Sequence, residues 1–461
     1  MATILYWNIN NFTNERINLG KRKIRPGDPD YEDGAPGPEH LRMLLNTMSG
    51  TIDPATNLPV QLDFFVIVEI YSRSGIPMAG DLIDSTGRTG CINLLQELNG
   101  NINGNWSLVP PVVTGTDHQR EAIAIYYRSD RWYFLGPATW PNAYPADLRG
   151  GLPNRTIPAA NPPNPAYPYR AGQPENRGAG QWQFRVGAAP GTALVNFPYV
   201  ANRTPWLTAF GDVANVNNLV RIMAMHTKPN DPGRTQYADR ATARLADVYD
   251  MTARPPDAVN QIDVIVGDFN VDNLVAANFQ ALGPFGRLLG QGVNPVNPPY
   301  RALVQPPAGL NVNYNSYYHT IGRTPTKAII AESEENFWLV TGEYPGQKYS
   351  SVSVDNALVR YRGGAAPPPP PPPTNPNDPN RMTILARARV QPYDTPFPAP
   401  GVIPMLGHYR SASYMEDTID AIYGFMNDPY FEENPNGIFQ ETNNYRQVFH
   451  LSDHFALLFD V

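Results

Sequence analysis

Seven short segments of this chain set polar side chains at or beside apolar runs, and no other feature limits its fold so tightly. In order they are WNINNF (Asn8), VIVEI (Glu69), QREAIAIYYR (Glu121), MAMHTKP (His226), VIVGDFN (Asp268 and Asn270), SVDNALV (Asp355) and LSDHFALLF (Asp453 and His454). Runs such as 62–68 and 262–267 read as buried strands. A carboxylate at the end of such a run has no packing reason to be there. Most of the polar residues in the seven segments sit at the end of an apolar run, which predicts strands that deliver polar groups to one edge of a sheet.

Strand patterns fall at 3–9, 62–70, 121–127, 132–136, 219–226, 262–267, 352–360, 382–390 and 455–460. Helical spacing marks 39–48, 90–98, 236–251 and 413–426, the last opening on the capping-box pair Ser413 and Glu416. Cys91 shares one helical stripe with Leu94, Leu95 and Leu98, so it is expected in the core. It is the single cysteine, which rules out a disulfide within the chain. Trp132, Tyr133, Phe134 and Trp140 are read for the most part as strand core, with a membrane-dipping or base-stacking patch as the alternative.

With 50 prolines and 37 glycines the chain implies long loops, and three stretches rich in Pro, Gly and Asn, at about 13–38, 137–210 and 361–381, are read as insertions. The first carries Lys21, Arg22, Lys23 and Arg25; the second carries Arg149, Arg155, Arg170, Arg177 and Arg185. The third holds Pro367 to Pro373, a stiff polyproline II run that could dock a proline-reading partner. Because the informative segments reach from Asn8 to His454, residues 1–461 are read as one catalytic domain enlarged by these insertions. A net charge of −7 excludes a broadly basic, nucleic-acid-coating protein but not a local basic cleft. No apolar run approaches the roughly 20 residues of a membrane span. The N-terminus shows no basic-then-apolar signal, so the expected location is cytoplasmic, or exported without a cleavable signal peptide.

Carboxylate and amide oxygens suit Mg²⁺, with Mn²⁺ or Ca²⁺ as alternatives, and the lack of paired cysteines argues against a zinc–thiolate site. The whole constellation resembles the endonuclease/exonuclease/phosphatase superfamily, with GDFN and SDH its most specific pieces. It is most similar to the deoxyribonuclease I-like branch, because Pro229 follows His226 by three residues and Glu121 precedes Arg128 by seven. The resemblance implies an α/β fold, a four-layer α/β/β/α sandwich of two packed mixed sheets flanked by helices. It also implies a divalent-metal-dependent phosphodiesterase. Asn8, Glu69 and Asp453 would serve the metal, Asp268 would hold metal or orient the nucleophile, and Asn270 would donate to phosphate. His226 would pair with Glu121 and His454 with Asp355, with His454 favoured as base and His226 as acid. Gly267 is expected to allow a sharp turn after the strand. This chain departs from the family at Val68, where Gln is usual, and at Phe455-Ala456-Leu457, where Pro-Val is usual.

Tyr71, Arg73 and the run Lys21, Arg22 and Lys23 are candidates for phosphate positioning. The leading functional expectation is a DNA endonuclease, with RNA as an alternative substrate. A phospholipid (sphingomyelinase-like) or inositol-phosphate phosphodiesterase is the second reading. A non-catalytic binding protein on the same scaffold is the third.

Overall fold

The computed structural model describes residues 2–14, 61–72, 85–114, 120–136, 205–230, 236–273, 275–304, 354–365 and 457–461. Ile83, Arg203, His454 and five two-residue strands are described besides. The expected helices at 39–48 and 413–426, the proline run, Lys21, Arg22, Lys23, Arg73 and Asp453 lie outside the described residues.

Strands β1 (Thr3–Phe12), β4 (Phe64–Tyr71), β5 (Trp106–Thr114), β6 (Glu121–Arg128), β15 (Thr383–Ile384) and β16 (Leu457–Asp460) form one sheet, ordered β15-β16-β1-β4-β6-β5. The other sheet contains β7 (Trp132–Gly136), β10 (Trp206–Asp212), β11 (Asn218–His226), β12 (Asn260–Asp268), β13 (Arg301–Ala302) and β14 (Asp355–Gly363). Its order is β13-β14-β12-β11-β10-β7. Two isolated ladders, β2 (Ile52–Asp53) with β3 (Leu58–Pro59) and β8 (Phe184–Arg185) with β9 (Leu194–Val195), complete the strands. Each large sheet has one parallel pair at its centre, β1 with β4 and β11 with β12, and antiparallel neighbours on both sides.

Alternation along the strands sorts the two faces of each sheet. Phe64, Tyr127 and Phe210 bring the sheets together through ring centroids 4.9–5.2 Å apart, joined by Val66, Ile123, Ile125, Ile222, Val264 and Val266. On the outer face of the first sheet lies helix α1 (Ser85–Asn101), whose buried Cys91, Leu94, Leu95 and Leu98 form the predicted stripe. Tyr126 donates to the Cys91 carbonyl at 2.9 Å, and burial pushes the Cys91 thiol up to about 12. On the outer face of the second sheet lie α2 (Tyr237–Arg244) and α3 (Tyr249–Thr252). The chain is therefore an α/β sandwich of two mixed sheets with helices outside. Among the described residues no helix is long and apolar enough to cross a membrane.

Four expectations need correction. The helix expected over 236–251 is interrupted, because Val248 is extended with ψ at 103° and separates a 3₁₀ turn from α3. The insertion expected at 137–210 ends earlier, since Trp206 to Phe210 are fully buried or nearly so in β10. Likewise β14 runs to Gly363, into the stretch read as the 361–381 insertion. Strand β5 went unpredicted because Pro110 and Pro111 interrupt its pattern. It is an edge strand with an irregular register between Val109 and Val112, where proline's missing N–H is tolerated.

Candidate active site

The parallel centres of both sheets end together, and the polar residues collect there. Asn8 lies on β1, Glu69 on β4, Glu121 opens β6, His226 closes β11, Asp268 closes β12 and Asp355 opens β14. His454 stands just before β16. Within the second sheet, His226, Asp268 and Asp355 are successive partners across the ladder, so one row of register delivers three of these groups.

Glu69 reaches the site through a backbone irregularity. Its φ is +59°, and the register of β4 on β6 slips between Ile67 and Ile70. Val66 and Val68 belong to the intersheet core, so strict alternation would turn the next residue to the opposite face. The extra residue of the bulge re-aims Glu69 inward. Tyr71 then stands opposite Glu121 in register and is 41% exposed, at the rim of the site.

Two imidazole–carboxylate pairs form. Nδ1 of His226 lies 2.9 Å from both carboxylate oxygens of Glu121. Nδ1 of His454 lies 2.7 Å from Oδ2 of Asp355. The two remaining ring nitrogens face a common atom: Asp268 Oδ2 is 3.3 Å from His226 Nε2 and 3.7 Å from His454 Nε2. His226 Nε2 is also 3.4 Å from Glu69 Oε1. The Asn8 amide nitrogen lies 3.2 Å from both Asp268 Oδ2 and His454 Nε2.

Burial and then Arg203 press the His226 imidazole toward neutrality, but Glu121, Asp268 and Glu69 outweigh them and raise its pKa to about 9. Burial works to raise Asp268, yet His226 and His454 together with the Asn270 backbone N–H hold its carboxyl at about 2. Burial raises the Glu69 carboxyl, opposed chiefly by His226. Glu69 is the most open of the four carboxylates, at 23% side-chain exposure against 5% or less for Glu121, Asp268 and Asp355.

The GDFN segment is built differently from the sequence expectation. Gly267 is not a turn residue but lies inside β12; a Cβ there would stand 1.9 Å from the Met225 carbonyl oxygen of β11. Close approach of two backbones is the requirement, not a bend. The turn falls at Asn270, whose φ of +49° suits asparagine better than most side chains. Asn270 donates its backbone N–H to Asp268 Oδ1 at 2.8 Å and its side-chain amide to the Thr227 carbonyl at 2.9 Å. Phe269 points into the core against Phe285, as alternation predicts.

Three participants were not anticipated. Arg203 lies 3.1 Å from Glu121 through Nε and 3.0 Å from both ring nitrogens of His226 through Nη1. Tyr6 donates to Asp355 Oδ1 at 2.8 Å, and Asn273 donates to the Asp355 carbonyl at 2.8 Å. Arg203 was hidden because it falls in a proline-rich stretch. Tyr6 reads as ordinary strand core, and no local signal shows where its hydroxyl goes.

Two groups could hold a cation: Glu69, Glu121 and His226, and Asp268, Asp355 and His454, each with ligand atoms within 4.8 Å of one another. Among the described residues, four carboxylates meet here against one guanidinium and two imidazoles. That excess of negative charge, with oxygen the main donor, fits a hard divalent cation.

No protein-family model matches this sequence, and no curated protein matches it. Among solved structures, an endonuclease/exonuclease/phosphatase family protein from Bacteroides thetaiotaomicron matches at 11% identity and TM-score 0.27, covering 59% of this chain and 64% of that one. The chain thus spans slightly under two thirds of that protein. D. rerio TDP2 complexed with single-strand DNA product matches at 10% identity and TM-score 0.31, over 79% of this chain and 86% of that one. SmcL matches at 13% identity and TM-score 0.32, over 80% and 85%. All three TM-scores lie below 0.5.

Proposed function

We propose that this chain is a divalent-metal-dependent phosphodiesterase of the endonuclease/exonuclease/phosphatase type, an endonuclease whose substrate is DNA. The observation that carries the reading is the pair of imidazoles whose Nε2 atoms face one Asp268 oxygen while each Nδ1 is held by its own carboxylate. Opposed acid and base groups around one small space are what an in-line displacement at phosphorus requires.

His454 is the base. Asp355 fixes its tautomer and stabilises the imidazolium formed when Nε2 takes a proton from water. His226, protonated near neutral pH, is the acid that gives its proton to the leaving oxygen. Asp268, ionised and held by Asn8 and the Asn270 N–H, orients the attacking water between the two rings. Glu69 with Asn8 and Asp268 would hold Mg²⁺ (or Mn²⁺ or Ca²⁺), which would supply charge neutralisation to the phosphate; Asp453 is proposed to join them. Asn270 is proposed to serve the phosphate, with Tyr71, at the rim, and Arg73 proposed to help position it. Nucleic acid is favoured because Lys21, Arg22, Lys23 and Arg25 concentrate positive charge on a chain of net charge −7.

Plasmid nicking beside sphingomyelin hydrolysis, each with Mg²⁺ and with EDTA, tests this directly. Nicking that requires the metal is expected, and His454→Ala and His226→Ala should each lower kcat by roughly 10²–10⁴-fold. Full activity in EDTA would sink the metal requirement, and cleavage of the lipid alone would replace DNA by a phospholipid as substrate.

A further inference from the structure

Three consecutive residues of β1 grip the His454 unit at three different places. The Tyr6 hydroxyl donates to Asp355 Oδ1 at 2.8 Å, Trp7 Nε1 donates to the His454 carbonyl at 2.8 Å, and the Asn8 amide nitrogen lies 3.2 Å from His454 Nε2. Asp355 thereby has both oxygens engaged, Oδ1 by Tyr6 and Oδ2 by the imidazole at 2.7 Å. Its backbone is fixed as well, since Asn273 donates to its carbonyl and accepts in turn from Asn356 at 2.8 Å. Tyr6 and Asp355 are fully buried, so their hydrogen bond is shielded from bulk water.

We propose that Tyr6 is a positioning residue for His454, acting through Asp355, with Trp7 as the anchor of the His454 backbone. The proposal rests on the reading of His454 as the base. A carboxylate held at one oxygen only can rotate and carry the imidazole with it; held at both, it presents one lone-pair direction to Nδ1 and so fixes where Nε2 points. Chain context makes the device necessary. His454 stands at an isolated bridge before β16, and backbone pairing there fixes its main chain but not the direction of its ring.

Tyr6→Phe keeps the ring and removes one O–H. In the nicking assay kcat is expected to fall about tenfold, the effect of losing one hydrogen bond to a charged group, with KM within about twofold of wild type. Proton NMR gives a second readout that does not need turnover. The Nδ1–H bonded to Asp355 produces a far-downfield imidazole signal, assigned by its loss in His454→Ala, and Tyr6→Phe should shift or broaden it. An unmoved signal overturns the proposal whatever happens to kcat, and so does an unchanged kcat in an enzyme that nicks DNA. If the wild type cleaves no phosphodiester, the catalytic reading fails, while a shifted signal still supports Tyr6 as the residue that sets the ring. Should Tyr6→Phe not fold, Trp7→Phe removes the indole donor, together with part of the ring's volume, and subjects the backbone anchor to the same two measurements.

Discussion

Glu69 carries both strain and chemistry. Its left-handed backbone is a conformation that a side chain with a Cβ adopts at a cost of roughly 1–2 kcal/mol. Its carboxylate is pressed upward by burial and faces Glu121 as well as His226. Glu69→Gly is therefore expected to raise stability by about 1 kcal/mol while abolishing activity. Urea denaturation beside the nicking assay checks both halves. A destabilised variant would mean that the bulge is held by contacts of the glutamate itself. Several site residues were legible in sequence because a carboxylate or histidine at a strand end is anomalous in an apolar run. Arg203, Tyr6 and the bulge were not. Glutamate carries no sequence mark of a positive φ, and the partner of a tyrosine hydroxyl depends on which strands face each other.

At the level of elements, β11, β12 and β14 carry a second polar cluster on the face turned away from the site. Asp263 of β12 is fully buried and accepts from Arg221 of β11 at 2.8 Å and from Arg360 of β14 at 2.7 Å, with Arg362 at 3.4 Å. Arg360 also donates to the Thr252 carbonyl at the end of α3, so the cluster fastens helix to sheet. Burial alone would raise the Asp263 carboxyl, but Arg221 and Arg360 hold it below the ordinary carboxylate range. A depressed folded-state pKa contributes stability that is fully present above the unfolded value of about 3.9 and is lost as pH falls through the folded value. Asp263→Asn should cost roughly 3–5 kcal/mol at neutral pH, because three guanidinium groups lose their buried counter-charge. The gap between wild type and variant should narrow below about pH 3.9. Unfolding free energies at about pH 6 and about pH 3 test this, and a gap that stays constant would remove Asp263 as the titrating group. Sequence patterning showed these strands well. It missed β5 and β10, whose prolines and neighbourhood resemble loop, and it could not show that the outer face of a buried sheet would be ionic.

For the molecule as a whole, acidic net charge and the proposed nucleic-acid substrate must be reconciled by local cations. If Lys21, Arg22 and Lys23 contact phosphates, each loss should flatten the log–log dependence of affinity on salt by roughly 0.9 for duplex DNA. The triple alanine variant should bind all sequences more weakly and leave the chemical step intact. A salt slope equal to wild type would show that this basic run does not touch DNA.

The imidazoles and carboxylates of the candidate site belong to neither sheet alone. Glu121 with His226, His454 with Asp355, Tyr6 with Asp355, and Asn8 with Asp268 each join one sheet to the other. A loosened state that keeps both sheets hydrogen-bonded but lets them slide would part all four contacts at once. On gentle heating or in mild acid, turnover should therefore vanish while the far-ultraviolet signature of the strands persists. Here the candidate site is the seam itself, and its activity would report slippage of the two halves before either half comes apart.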